Sequence, residues 1–585
     1  MQGQPSDGIQ FVRVIDPRVN INSLNNREYA ILDGPSENNH VQDISSSFSN
    51  NTINITLNPP NRQTYISRYL MVEVRFEINF TGVSGGAGIP LIQAPYLRHL
   101  PGAVRANAPY DAPRSHPLMN ATNSLQIKMG DATISQNINQ FFRNFNHYHN
   151  FNQNRFGWES PTPSQLDPSW SYANTFGTVQ NPMNGAYDYP DGSECGRGGF
   201  IDAVVTQNTA TGVADTAQVL LTVREPVLIS PFLSNGEDAM SSVSFIGIDT
   251  MSMTWSLGGR GVGVLGGLTG ALWSHNPLSP SVFTASSVNV LGAETLSQFM
   301  TPDPTQMISS ANSYSYYEPN LYPTTVQNVL APGASTTVVM NNIQLSSVPN
   351  LVYVSVQEAD QLFNFSKTDT FFAIENINIT FDNRSSLLAT MTQLDLYNMS
   401  RKNGSIQSWR QFSYDQGSVI AISFGTDLAL GASLAPSTIG NFSFSMKVTF
   451  RNQTDTACPI YTLNVIPVLE GTMLIDSNRC YRTLGAISRA DVLASKSGVI
   501  VPYRHPTNFY GGGWLDKLKS AFGSIAPWLR KAVDVGQMVA PQYAGPLGLA
   551  DQALRLTGNG LVGGRRRKQR GGEIVSKNQL IELLD

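Results

Sequence analysis

Apolar and polar residues alternate along much of this chain, with the two-residue period of β-strands that bury one face. The clearest case is residues 69–81, where Val72 and Phe76 fall on one side and Glu73 and Arg75 on the other. Similar segments recur, separated by stretches rich in Gly, Pro, Asn and Ser. Strands joined by polar turns in this way are typical of antiparallel β-sandwiches.

One local pattern occurs twice. In residues 123–146 and again in residues 369–404, an alternating segment leads to a polar turn and then to apolar residues near helical spacing. Ile127 and Ile379 are equivalent in the two copies, and the segments that begin at Asn54 and Asn342 form a second matching pair. The predicted helical apolar residues are Ile134, Ile138, Phe141, Phe142 and Phe145 in the first copy, and Leu387, Leu388, Met391, Leu394, Leu396 and Tyr397 in the second. A repeat of this length has the size of a whole β domain.

We therefore predict an all-β chain in which two copies of one β-sandwich, with short inserted helices, precede an α-helical or flexible tail. The predicted parts are an N-terminal arm at 1–50, a first domain at 51–240 with a long loop at 147–215, a second domain at 241–495 with a long loop at 275–330, and a tail at 496–585. Strands of the second domain are expected at 336–345, 351–357, 371–381, 418–424, 441–450 and 460–468.

Composition supports folded β structure. Charged residues make up 14% of the chain, below the usual quarter or so, whereas 41% of the residues are hydrophobic, which argues against disorder. The net charge of −4 conceals an asymmetry, because residues 514–572 contain ten Lys and Arg but three Asp and Glu. A basic tail on an acidic body indicates that the tail has its own partner, either nucleic acid or an anionic membrane.

The cysteines and the N-terminus indicate a protein that is not secreted. Three cysteines, Cys195, Cys458 and Cys480, are too few and too scattered for a disulfide framework, so a reducing compartment is expected. The first residues, MQGQPSDGIQ, contain no apolar signal core. No apolar run reaches the 18 or so residues of a membrane span.

Catalytic and cofactor motifs are weak. Gly261, Gly263 and Gly266 have the spacing of a dinucleotide-binding loop, but neither a following helix nor an acidic residue at the required distance accompanies them. His147 and His149 could face one side of a strand as a metal pair, but no Cys or acidic residue clusters beside them. We predict no catalytic, cofactor-binding or metal-binding residues, and therefore no enzyme.

Four segments resemble the double jelly-roll major capsid proteins of the Polinton, adintovirus and virophage-like group of DNA viruses. They are residues 120–135, 224–232, 369–404 and 484–493. The resemblance covers about residues 50–495 and implies two tandem eight-stranded jelly rolls, known together as a double jelly roll. It further implies homotrimers that form pseudo-hexagonal capsomers of an icosahedral capsid, with penton and minor capsid proteins as partners. The expected location is the virion, after assembly inside the host cell or its nucleus.

The tail contains a predicted amphipathic helix at 514–535. Its apolar face carries Trp514, Leu518, Ile525, Trp528 and Leu529, whereas basic residues lie largely off that face. A basic helix with tryptophans that follows a run of glycines is typical of segments that act at a membrane surface. The alternative is a helix that packs its apolar face on the capsid interior or on its own body.

A predicted processing site follows the helix. Leu561, Gly563 and Gly564, which precede Arg565, resemble the site of adenovirus-type cysteine proteases, whose narrow channel admits no side chain beside the cut. Residues 556–559 are a second variant of this motif. The basic cluster at 565–570 comprises Arg565, Arg566, Arg567, Lys568 and Arg570. It is interpreted as a nuclear-import signal, a genome-contacting segment or a solvated run of charge.

Two other functions are compatible with a β-sandwich chain. A carbohydrate-binding protein would use aromatic platforms, for which Trp158, Trp170 and Tyr187 in the first long loop are candidates. A capsid protein of an RNA virus, with shell and projection domains, would have two dissimilar β domains. The repeat described above argues against this last interpretation.

Overall fold

A computed structural model describes residues 11–12, 30–31, 36–43, 48–49 and most of 52–488, with its longest gaps at 101–109, 149–199, 234–243, 259–267, 302–310 and 360–370. The chain divides into two compact units, residues 1–511 and 512–585. The second unit lies outside the described residues, and so does the predicted tail helix. Among the described residues, no helix combines the length and apolar character needed to cross a bilayer.

The described strands are listed here in chain order. They are β1 (Phe11–Val12), β2 (Ala30–Ile31), β3 (Ser36–Asp43), β4 (Phe48–Ser49), β5 (Thr52–Leu57), β6 (Tyr65–Ile66), β7 (Met71–Val83), β8 (Arg98–His99), β9 (Asp111–Pro113), β10 (Thr122–Met129), β11 (Ala132–Gln136), β12 (Phe200–Gln207), β13 (Asp215–Pro226), β14 (Met251–Leu257), β15 (Trp273–His275), β16 (Val282–Thr301), β17 (Ala311–Pro319), β18 (Tyr322–Leu330), β19 (Ser335–Val339), β20 (Ile343–Ser347), β21 (Leu351–Glu358), β22 (Ala373–Phe381), β23 (Arg384–Leu387), β24 (Val419–Ser423), β25 (Thr438–Arg451), β26 (Cys458–Asp476), β27 (Arg479–Leu484) and β28 (Ile487–Ser488).

Few residues of the described chain are helical. The helices are α1 (Pro117–Ala121), α2 (Ile138–Phe145), α3 (Leu268–Leu272) and α4 (Gln393–Lys402), and a π-helical turn covers Gln411–Asp415. Helix α4 begins with a capping box, in which Thr392 and Asp395 exchange side-chain and backbone hydrogen bonds. This cap places the start of α4 at Gln393, six residues after Leu387, the first apolar residue of the predicted helical pattern.

Most of the strands form two barrels, each with two facing sheets, whereas β1 with β2 and β9 with β15 form separate two-stranded sheets. Barrel 1 consists of the sheet β11-β10-β14-β5-β4 and the sheet β3-β16-β7-β13-β12-β8, with β6 joined to β16. Barrel 2 consists of the sheet β19-β25-β22-β23, with β20 and β28 joined to β25, and the sheet β17-β26-β21-β24, with β18 and β27 joined to β26. The chain is thus a double jelly roll, as the repeat and the resemblance predict.

Strand pairing confirms the internal repeat. In barrel 1, β14 lies between β10 and β5, and in barrel 2, β25 takes the same place between β22 and the pair β19 and β20. The predicted equivalence of Ile127 and Ile379 also agrees with the residues that they pair with on the central strands. Ile127 pairs with Met253 on β14, and Ile379 pairs with Met446 on β25. A helix follows the corresponding hairpin in both barrels, α2 after β10–β11 and α4 after β22–β23.

The predicted domain boundary at residue 240 is wrong. Strands β14 and β16 come after that residue, yet β14 pairs with β5 and β10, and β16 pairs with β7 along most of its length. Barrel 1 therefore extends to Thr301. The cause is that alternation shows which face of a strand is buried but does not show which strand lies beside it.

Three further predictions need correction. The region 275–330 is not a long loop, because it contains β16, β17 and β18, and the region 147–215 includes β12 and the first residue of β13. Part of the predicted N-terminal arm is a strand of barrel 1, since β3 pairs with β16. Ile134 and Leu387 lie in the hairpin strands β11 and β23 and not in helices. A short strand and a helix both place apolar residues toward one core, so spacing alone did not separate them.

The outward face of the β16–β7–β13 sheet in barrel 1 is polar. Arg224 on β13 donates to Glu73 on β7 at 2.7 Å. Gln218 on β13 and Asn289 on β16 both donate to Glu77 on β7, each at 3.0 Å. These cross-strand pairs join three neighbouring strands on the face that points away from the barrel core.

Candidate functional site: the junction between the two barrels

Two neighbouring strands of barrel 2, β21 and β24, are buried on both of their faces. On β21, Val352, Val354 and Val356 belong to the core of barrel 2, whereas Tyr353 belongs to the core cluster of barrel 1. The same alternation occurs on β24, where neighbouring residues point into different cores. The residues after Thr301 that join the barrel 1 cluster are Tyr314, Tyr316, Tyr353, Phe371, Val419, Ala421, Ile466, Val468, Met473, Ile475 and Cys480. We call this contact the junction.

Aromatic side chains form the centre of the junction. The ring of Tyr353 lies 5.1 Å from that of Phe145 and 5.0 Å from that of Tyr148, both at edge-to-face angles. Such pairs contribute roughly 0.5–1.5 kcal/mol beyond the burial of their area. The Tyr148 hydroxyl donates to the carbonyl oxygen of Val419 at 2.7 Å, and burial raises the pKa of this phenol above its usual range. Tyr148 therefore stays a neutral donor at physiological pH.

A buried arginine links the barrels at a second point. Nη2 of Arg68 donates to the carbonyl oxygen of Pro231 at 2.7 Å and to that of Ser315, on β17, at 2.8 Å. The guanidinium carbon lies 5.0 Å from the centre of the Phe245 ring, within range of a cation–π interaction. Burial lowers the pKa of Arg68 to about 10, which still leaves the side chain charged at neutral pH.

Backbone and amide contacts complete the junction. The backbone N–H of Tyr317 donates to Leu233 O at 2.9 Å, and the Ser230 hydroxyl donates to Tyr317 O at 2.6 Å. Gln136 donates to Pro319 O at 3.3 Å and to the Ser230 hydroxyl at 3.0 Å. The bonds to Leu233, Tyr317 and Pro319 cross the contact, so hydrogen bonds as well as apolar packing join the two barrels.

Most of the predicted site residues lie outside the described part of the chain. His147 is buried at the junction, where its ring lies 5.5 Å from that of Phe371. The residues outside the described part of the chain are His149, Trp158, Trp170, Tyr187, Cys195, Gly261, Gly263, Gly266, Trp514, Leu518, Ile525, Trp528, Leu529, Leu561, Gly563, Gly564 and the basic cluster 565–570. Cys458 and Cys480 are buried, and burial raises the pKa of Cys480 to about 11, so its thiol is not a reactive thiolate.

Family comparisons match both barrels. Residues 7–293 match the first domain of the Sputnik virophage major capsid protein, and residues 320–416 and 414–471 match the C-terminal domain of major capsid protein V20. The putative capsid protein V20 of Sputnik virophage is 26% identical over 98% of this chain and 97% of its own length. The chain is a major capsid protein of the virophage type. This family is structural and is not an enzyme family.

Solved structures agree with this assignment. A chain of the Sputnik virophage structure at 3.5 Å is 25% identical, with a TM-score of 0.67 over 87% of this chain and all of that one. The mavirus major capsid protein is 14% identical, with a TM-score of 0.61 over 85% of this chain and all of its own, and it supports the fold. The first family match ends at 293, within β16, and includes β14, which agrees with a barrel 1 that extends beyond residue 240.

The junction was not predicted from the sequence of this capsid protein, although a signal for it exists. Residues 351–356 read LVYVSV and residues 419–422 read VIAI, without the polar alternation of β7. Strands buried on both faces are near-continuous apolar runs. These two runs therefore indicate a sheet that is covered on its outer side by a further layer of protein.

Truncation of Tyr353 should uncouple the barrels. We expect Tyr353→Ala to lower the free energy of unfolding by about 3–5 kcal/mol, because the ring fills the junction. Wild type should unfold in one calorimetric transition, whereas the variant should show a split or broadened one. Tyr148→Phe should cost about 1 kcal/mol, the usual value for a lost hydrogen bond.

Val339→Ala is a matched control for this calorimetric experiment. Val339 lies on barrel 2 and is 62% exposed, so its truncation should change stability by less than about 0.5 kcal/mol. If wild type already unfolded in two separate transitions that Tyr353→Ala left unchanged, the junction would not couple the two barrels.

Proposed function

We propose that three copies of this capsid protein form a pseudo-hexagonal capsomer, and that capsomers tile an icosahedral shell. The proposal is supported chiefly by the junction, which holds two barrels of equivalent topology in one rigid arrangement. Three such chains supply six similar barrels, so that a three-fold assembly presents a nearly six-fold outline. Penton and minor capsid proteins are the further partners that such a shell requires.

The trimer can be tested by multi-angle light scattering of the purified full-length chain. We expect the mass of three chains, because each chain supplies two of the six barrels. The chain ended at Gly511, which removes the second compact unit, should give the same result if the barrels alone carry the contacts. A mass of one chain across the accessible concentration range would contradict the proposal.

We further propose that the tail is processed during maturation. The segment Leu561 to Gly564 has the residue pattern of an adenovirus-type protease site and precedes the basic cluster at 565–570. Exposed terminal segments are favoured positions for proteolysis. A cut there would separate the basic cluster from the capsid body, so the cluster would act earlier, in nuclear import or in contact with the genome.

Intact-mass spectrometry of protein from mature particles tests this processing. We expect a C-terminus at Gly564, and we expect Gly564→Val to block the cut, since a side chain at that position does not fit a narrow substrate channel. Gly558→Val, in the second variant of the motif, is the matched control and should leave the cut in place. Mature particles whose protein still ends at Asp585 would rule out the cut.

Our last proposal for the tail is that the helix predicted at 514–535 acts on membranes. Its pattern combines tryptophans and aliphatic residues on one face with basic residues largely off it. Docking of the same face on the capsid interior is the competing outcome. The tryptophans distinguish the two, because insertion into an interface depends strongly on aromatic anchors.

Dye release from anionic vesicles measures this activity. The full-length protein should release the dye, the chain ended at Gly511 should not, and Trp528→Ser should reduce release severalfold because it removes an aromatic anchor. Lys519→Gln, which changes one charge, should have a smaller effect. Equal release by the full-length and shortened chains would place the activity outside the tail.

A further inference from the structure

Barrel 2 has an exposed apolar surface around α4 and the π-helical turn. It consists of Leu394, Ile406, Trp409 and Tyr414, which are 52%, 41%, 37% and 50% exposed. We call these four residues the α4 surface. Tryptophan and tyrosine are the residue types most enriched among the dominant contacts of protein interfaces. Apolar groups gathered in one exposed region mark interaction sites more often than single exposed side chains do.

The aromatic side chains of the α4 surface are held in place. The Trp409 ring lies 5.3 Å from that of Tyr397, and it stacks on the buried Phe412 ring at 6.3 Å. The guanidinium carbon of Arg451 lies 5.8 Å from the centre of the Tyr414 ring. A surface whose rings are already ordered loses little conformational entropy on binding, which favours tight association.

The repeat indicates what covers this surface. In barrel 1, the corresponding segment comprises α2 and the residues after it, and its Phe145 and Tyr148 pack on Tyr353 in the outward face of the β21–β24 sheet of barrel 2. By the same topology, the segment that begins with α4 would pack on the outward face of the equivalent β7–β13 sheet of a barrel 1. The chain's own barrel 1 is already engaged at the junction, so the next barrel 1 belongs to another copy.

The α4 surface is also continuous with the junction. The backbone N–H of Ile406 donates to His147 O at 2.9 Å, and Ser405 forms a β-bridge with Tyr148. The segment after α2 thus meets the segment after α4 within one chain. Repetition of this contact from barrel 2 to the barrel 1 of the next copy generates a head-to-tail interface, which closes into a ring when the rotation is suitable.

We propose that the α4 surface binds the outward face of β7 and β13 in a neighbouring copy of this chain. The inference rests on the proposed trimer and names the contact that forms it. The receiving face is polar, with the Arg224–Glu73 pair on it, whereas its counterpart in barrel 2 is apolar. This difference is expected, because the barrel 2 face is covered as the chain folds and the barrel 1 face meets water until assembly.

Light scattering of a double variant, Trp409→Ala with Tyr414→Ala, tests the donor side. The variant should need at least about a tenfold higher concentration than wild type to form trimers, since aromatic anchors dominate interfaces. Val329→Ala is the matched control, because Val329 is 66% exposed on barrel 2 but lies outside the α4 surface. Its trimers should match those of wild type.

A photoreactive residue identifies the receiving side. With p-benzoylphenylalanine in place of Tyr414 in the full-length chain, illumination should give cross-linked dimers on a denaturing gel. Mass spectrometry should locate the link within residues 71–83 or 215–226. Links within one chain, including links to residues 149–199, or links to any other part of a second copy would overturn the inference.

The outcomes distinguish a failure of the proposed trimer from a failure of the proposed contact at the α4 surface. If wild type is a monomer, the proposed trimer fails. If wild type is a trimer and the double variant trimerises equally well, the trimer stands and the role of the α4 surface is refuted. Loss of trimers in the double variant, together with links to β7 or β13, would support both.

Discussion

The structure depends on one sheet that serves two hydrophobic cores. In β21 and β24 of barrel 2, successive side chains point alternately into barrel 2 and into barrel 1, so a polar group on either face of these strands is costly unless it has a partner. The two barrels therefore gain much of their stability from the same strands. A change on either face affects the contact between the barrels or the core of the second one, which makes the double barrel a single mechanical unit.

The two copies of the fold have diverged where their surroundings differ. Strand β7 keeps a strict alternation, with Glu73, Arg75 and Glu77 on its outward face, whereas the outward face of β21 carries Tyr353. The inward faces are alike, since both line a barrel core. A capsid protein must be soluble as a free chain before it associates, and the polar, hydrogen-bonded side chains on this face of barrel 1 are suited to contact with water.

Much of the fold could be read from the sequence, because strand alternation is a local property. The repeat, the equivalence of Ile127 and Ile379, and most strands of the second barrel follow from it. The position of β14 between β5 and β10 does not follow from alternation. The pairing of β14 with β5 joins residues about 200 positions apart, and alternation does not show which strands are neighbours. The junction was missed for a different reason: its apolar runs at 351–356 and 419–422 were predicted only as strands, without regard to their missing polar alternation.

At the junction, apolar burial stabilises the contact between the barrels, whereas directional hydrogen bonds determine the angle between them. Apolar burial is non-directional, so the contact of Tyr353 with barrel 1 stabilises association without defining one angle between the barrels. Arg68 restricts the angle between the barrels, because its Nη2 atom donates to Pro231 O in barrel 1 and to Ser315 O in barrel 2. Both hydrogen bonds are short in only one arrangement of the two barrels. A buried cation contributes little net stability, and its best-attested use is to specify one geometry. In a capsid lattice, an error in that angle would be repeated in every copy of the chain, so such a residue has a clear structural purpose.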